Sequence, residues 1–180
     1  VDKEVEKKEW LDPESGQVYD LSHTIPTTFT YQVKLSKESE LIDVPVKVYF
    51  SQHCYSREAK EDEVVHFQET RRHGRVENRT FCPDRWSFSQ KLPEIIRGLQ
   101  NKGCLIGGSH EVLYRLEDAN PRNKDCGWYI CMRLGFRKSR NPQVELSVRS
   151  VHYRNNRPYD IRGGHQRFYV LLAKLLKSHK

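Results

Sequence analysis

The chain has 180 residues, of which 36% are hydrophobic and 31% charged, and its net charge is +7. That is enough apolar material for one domain with a core, and no apolar run approaches the ~20 residues of a membrane-spanning helix. Five irregularly placed cysteines (Cys54, Cys82, Cys104, Cys126, Cys131) lack the order of a secreted disulfide framework, and the charged first residues hold no signal-peptide apolar region, so a soluble cytoplasmic protein is expected.

Residues 1–27 read as an arm. A short helix over Glu4–Trp10 is expected, then turn chemistry at Asp12-Pro13-Glu14-Ser15-Gly16, with Trp10 as the side chain that would dock the arm. Residues 29–35 and 44–50 alternate as strands and should pair as a hairpin. Pro45 lacks an N–H, which points to an edge position or a strand start. Residues 64–69 and 76–81 flank Arg71-Arg72-His73-Gly74 as a charged surface hairpin, inserted at about 52–82.

The first long helix is expected at 89–102. Leu92, Ile95, Ile96 and Leu99 form one apolar stripe, Ser87 or Ser89 caps it, and Pro93 must sit in its first turn. Residues 111–116 read as a strand, and Gly107-Gly108 and Gly163-Gly164 as turns. The strongest pattern is 128–153: two alternating arms around a basic turn, the signature of a β-hairpin. Trp128, Ile130, Met132, Leu134 and Phe136 share one face with Val144, Leu146 and Val148 as its partner set. A last helix at 165–178 carries Phe168, Leu171, Leu172 and Leu175 on one side, either as core or as a surface for a protein partner or a second copy. The expected fold is α+β: an antiparallel sheet with one face covered by the helices at about 89–102 and 165–178, in a single domain over 28–180.

Charge is uneven. Residues 1–80 carry 12 Lys/Arg against 16 Asp/Glu, and residues 81–180 carry 19 against 8. Arginine dominates the basic stretch from Arg133 to Arg167, and its planar fork suits bidentate phosphate binding. The polar side of the hairpin and the loop after it therefore form the candidate site. Tyr129, Arg133, Arg137, Arg140, Tyr153, Arg154, Arg157 and Arg162 would bind nucleic acid, RNA over DNA. Glu145 or His152 would take a 2′-hydroxyl proton, and Arg149 would stabilise the phosphorane, with no metal or cofactor. A helix followed by an antiparallel sheet over 87–153 resembles the small ribonuclease-toxin folds of the RelE/barnase type, which implies RNA cleavage. An exposed face laced with ion pairs, such as Glu145 with Arg133 or Arg149, explains the same residues without function.

Other motifs are excluded by spacing. His53-Cys54 would suit a phosphatase loop, but that needs arginine six residues later, and Lys60 stands there with no glycine between. No paired C-x₂-C, Walker loop or H-E-x-x-H occurs. Two alternatives stay open: a non-enzymatic protein-interaction or regulatory subunit, and a thiol or zinc site around Cys54.

Overall fold

The computed structural model describes residues 7–108, 112–138 and 140–179. Twelve strands and three α-helices are arranged in three sheets among these residues. The arm forms a hairpin of β1 (Glu9–Leu11) and β2 (Val18–Asp20). Residues 4–6 of the expected helix at Glu4–Trp10 lie outside the described residues; of the remainder, Lys7 and Lys8 are irregular, and Glu9 and Trp10 are strand, paired with Asp20 and Tyr19. Trp10 also packs on Phe81, Phe67 and His66, and the Trp86 indole N–H donates to the Asp20 carbonyl at 2.9 Å.

The main sheet has seven strands, and it is not the simple antiparallel sheet expected. Its order is β12 (His165–Arg167), β8 (Gly103–Ile106), β9 (Val112–Glu117), β10 (Gly127–Arg137), β11 (Gln143–Arg154), β4 (Leu41–Phe50) and β3 (Thr27–Lys34). Every neighbour pair is antiparallel except β11 with β4, which run parallel from Val144↔Val46 to Val148↔Phe50. The β3–β4 hairpin thus extends the sheet rather than forming a second one. Pro45 lies inside it: the β11 ladder begins one residue later, at Val46, so the missing N–H falls outside the parallel pairing.

The helices differ from expectation in their limits. Helix α1 (Pro83–Ser89) starts six residues earlier than predicted, with proline in its first turn and Asp84 beside it. Pro93 cannot donate to the carbonyl of Ser89, so the chain breaks and restarts as α2 (Leu92–Arg97), followed by a 3₁₀ turn at Gly98–Asn101. Ser89 is no cap; its hydroxyl is buried, donating to the Trp86 carbonyl at 2.7 Å and meeting His23 Nε2 at 2.6 Å. Helix α3 (Phe168–Ser178) begins three residues late because 165–167 pair with β8 as a strand.

One face of the sheet holds the core. Val46, Val48, Leu146, Val148, Ile130 and Met132 are fully enclosed there, under Leu92, Ile96 and Leu99 and under Phe168 and Leu172 of α3. Burial of each such side chain contributes about 1.5–3 kcal/mol. The buried Tyr31 hydroxyl donates to the Ile96 carbonyl at 2.6 Å and ties β3 to α2. The core face of α3 is therefore used within the chain, with Leu175 and Leu176 left half-buried. The predicted charged insertion is a third sheet: β5 (Ser56–Glu58), β7 (Val76–Phe81) and β6 (Phe67–Thr70). It is pinned by Arg79, a buried guanidinium that donates to Ser56 Oγ (2.9 Å), to the Ser56 carbonyl (2.8 Å) and to Glu77. No described helix is long and apolar enough to cross a membrane.

Candidate functional site

The site is built on a single extra residue. In β10–β11 the register runs Leu134↔Leu146 and Met132↔Val148, then Cys131↔Ser150 and Ile130↔Val151. Arg149 is skipped, so β11 carries a β-bulge there. A bulge shifts the in–out alternation of everything beyond it. Val151 turns into the core, while Ser150 and His152 join the polar face beside Cys131 and Tyr129. Tyr153 turns to the opposite face, packing edge-on against Trp128 at 5.7 Å.

The bulge also marks a fork. The parallel ladder ends where the Ser51 amide donates to the Val148 carbonyl at 2.9 Å, and the chain leaves β4 through a 3₁₀ turn at Gln52–Cys54. The space between the departing strand, β11 and the end of β6 is a polar cleft of about 360 Å³. Ser51 and His53, Glu69 and Arg71, and Cys131, Ser147, Arg149 and Ser150 line it. Arg149 has no hydrogen-bonded or ionic partner among the described residues and faces solvent.

Two histidines adjoin this cleft, held in different ways. His53 Nε2 meets Glu69 at 2.6 Å. With Nε2–H donated to that carboxylate, the neutral ring keeps its lone pair on Nδ1. Burial lowers the His53 pKa against the opposing pull of Glu69. His152 lies two residues past Ser150, ~7 Å further along the strand. Its Nδ1 accepts from Arg85 Nη2 at 2.8 Å, so its proton sits on Nε2. Burial, then the charges of Arg85 and Arg154, push its pKa down to about 4. Arg85 also donates to the Ser56 carbonyl at 2.7 Å and the His53 carbonyl at 3.4 Å, so α1, the 3₁₀ turn and β11 are joined at one guanidinium.

The predicted site residues separate into groups. Arg149 and His152 lie at the fork. Glu145 lies on the same face but seven residues from His152, roughly 20 Å along a strand; it accepts from Gln143 at 2.7 Å and pairs with Arg137 at 3.5 Å. Glu145 and His152 therefore do not meet over one phosphate. Arg133 lines the surface between Glu145 and Arg149. Arg154 continues the polar face past His152, and Arg157 is paired with Asp125 at 2.9 Å. Arg140 is exposed in the β10–β11 turn, next to residue 139, which lies outside the described residues. Arg162 is on the other side of the sheet, in a cavity against α3. Neither predicted stacking ring faces the cleft: Tyr129 is buried with its hydroxyl on the Asp125 carbonyl at 2.8 Å, and Tyr153 has crossed the sheet. Tyr49, paired with Ser147 on the polar face, is the aromatic that sequence reasoning passed over. Glu69, Arg71 and Arg85 were also missed, since nothing in their local pattern connects them to β11.

The thiol alternative fails on exposure. Cys54 is 0% exposed, its Sγ donates to the Val148 carbonyl at 3.7 Å, and burial pushes its pKa up to about 12. Two groups of three potential metal ligands do converge, His53/Glu69/Glu77 and Asp12/Glu14/His66. In the first, Arg71 and Arg79 already hold the carboxylates. In the second, His66 Nδ1 accepts the Phe81 amide at 3.0 Å. Its Nε2 must then carry the proton, and it presents a donor rather than a lone pair to Asp12 and Glu14 at 3.9 and 3.8 Å.

Comparison with known families places residues 9–176 on the model of the YjaZ family, and the chain belongs to that family. No curated protein and no solved structure matches it, so the likeness of 87–153 to small ribonuclease folds has no solved structure behind it.

Proposed function

For this member of the YjaZ family we propose that the cleft at the β4–β11 fork binds a phosphodiester of RNA and cleaves it without a metal. The observation that supports this most directly is the bulge. It sets Arg149, a guanidinium without a partner among the described residues, in the same polar cleft as an imidazole oriented by a carboxylate, His53 with Glu69. An anion in that cleft meets Arg149, with the Ser51, Ser147 and Ser150 hydroxyls around it. Arg154 and Arg133 continue the polar face on either side as contacts for neighbouring phosphates.

In the reaction, His53 Nδ1 takes the proton of the 2′-hydroxyl as O2′ attacks phosphorus. The P–O5′ bond breaks, and the leaving 5′-oxygen recovers a proton from the His53 imidazolium. The products are a 2′,3′-cyclic phosphate and a 5′-hydroxyl. Arg149 stabilises the negative charge gathering on the equatorial oxygens, and neutral His152 offers Nε2–H as a hydrogen-bond donor. His53 replaces Glu145 and His152 as base, because Glu145 is remote and the His152 lone pair is engaged by Arg85.

The second reading is RNA binding without cleavage. It is favoured by the absence of Tyr129 and Tyr153 from the cleft, where they would have splayed the bases. One assay set separates the two. Cleavage of single-stranded RNA in EDTA should leave cyclic-phosphate ends, and His53→Ala should abolish it while RNA affinity stays. Arg149→Ala should weaken affinity and reduce its dependence on salt. Affinity without cleavage supports the second reading. Salt-independent affinity that Arg149→Ala leaves unchanged rejects both.

A further inference from the structure

A second cavity lies on the other side of the sheet from the cleft. It encloses about 750 Å³ between α3, the end of β8 and the Arg162–Gly163 loop. We propose that it binds a free monocarboxylate with an unbranched aliphatic chain.

Its floor is aliphatic: Ile106, Leu134, Leu171 and Leu175. Leu134 and Leu171 are otherwise nearly sealed, at 5% and 8% exposure, and what remains of their surface looks into this space. Gly163 sits against Ile106, where a Cβ would come within 3.1 Å of the isoleucine Cβ, so the loop closes tightly on that end of the floor. The lining has two charged side chains of fixed sign, Arg162 and Lys174, and no acidic residue among those described. Arg162 has no ionic partner among the described residues, and Lys174 Nζ reaches only the neutral Gln166 amide oxygen at 2.8 Å. An apolar hollow of small-molecule size with two uncompensated cations at its edge is complementary to one aliphatic tail and one anionic head. The arginine fork accepts a carboxylate through two parallel N–H donors, and the lysine supplies a second charge. A phospholipid in a bilayer would keep its tails in the membrane. This hollow lies beside the protein's own core, so the tail of a free acid fills it.

The full chain is titrated with decanoate, and with decanol as the uncharged counterpart, by thermal shift and by two-dimensional amide spectra. Decanoate should raise Tm and move the resonances of Ile106, Gly163, Leu171 and Leu175, with decanol at least tenfold weaker. The double variant R162A/K174A should bind decanoate at least tenfold more weakly, and R162K/K174R should restore binding. Both charges are on the surface, so the variants should fold, and a wild-type amide spectrum away from the cavity checks that. Equal binding of decanol, unchanged binding by R162A/K174A, shifts confined to other residues, or flotation with anionic vesicles in place of decanoate binding would each overturn the proposal.

Discussion

Acidification should destabilise this protein through His152 before its carboxylates respond. Folding buries the His152 ring against Arg85 Nη2 and lowers its pKa from an ordinary 6.5 to about 4. The unfolded chain therefore takes up a proton that the folded chain refuses. The ring's contribution to stability is complete above about pH 6.5 and is lost as pH falls toward 4. At about 1.4 kcal/mol per pKa unit, a fully enclosed ring would cost about 2 kcal/mol between pH 7.5 and pH 5. Screening at its partly exposed edge reduces this to roughly 1 kcal/mol. His152→Asn keeps an acceptor for Arg85 and removes the titrating group. Urea unfolding of both proteins at pH 7.5 and pH 5 provides the measurement, and wild type should lose about 1 kcal/mol more than the variant. His53 and His23 also have lowered pKa values but are common to both proteins. The Glu63 carboxyl, held near 2 by Arg57, titrates below the window. Equal losses in the two proteins, or a wild type that gains stability on acidification, would refute the assignment.

Three other perturbations act elsewhere. Arg79→Ala removes a guanidinium that is 3% exposed, leaving the Glu77 carboxylate to Arg71 alone and the Ser56 carbonyl to Arg85 alone. It should cost on the order of 3 kcal/mol, and hydrogen exchange should speed up in β5–β7 first; protection lost evenly over the molecule would contradict the local role. Tyr31→Phe deletes the hydroxyl that donates to the Ile96 carbonyl. It should lower stability by about 1–3 kcal/mol, and an unchanged urea midpoint would show that the carbonyl finds another donor. In the native chain, iodoacetamide should label half-buried Cys82 before Cys54, whose thiol is buried and pushed up to about 12; mass spectrometry showing the reverse order would mean that the 3₁₀ turn opens readily.

Local chemistry alone carried the main elements. Alternation from Trp128 to Phe136 and from Val144 to Val148 identifies the central strands and the side that is core, because a side-chain period of two admits no other arrangement of those residues. The stripe Leu92, Ile96, Leu99 likewise marks the helical face that lies in the core. Even the helix break was written locally, in the missing N–H of Pro93 and the N-terminal preference of Pro83.

The site was not legible in this way. Read straight through, the alternation of β11 gives His152 and Tyr153 the wrong faces, because the bulge at Arg149 is a property of two paired strands rather than of one. The parallel pairing of 46–50 with 144–148 joins segments about a hundred residues apart, and no side-chain pattern names a strand's neighbour. The sequence by itself determined an α+β chain, its core residues and a basic second half. Only the tertiary structure decided that β4 departs from β11 at the bulge, which brings His53, Glu69 and Arg149 together and leaves Glu145 away from them. The physical reason is range: periodicity and turn chemistry act over a few residues, whereas a cleft exists only where distant segments meet and then separate.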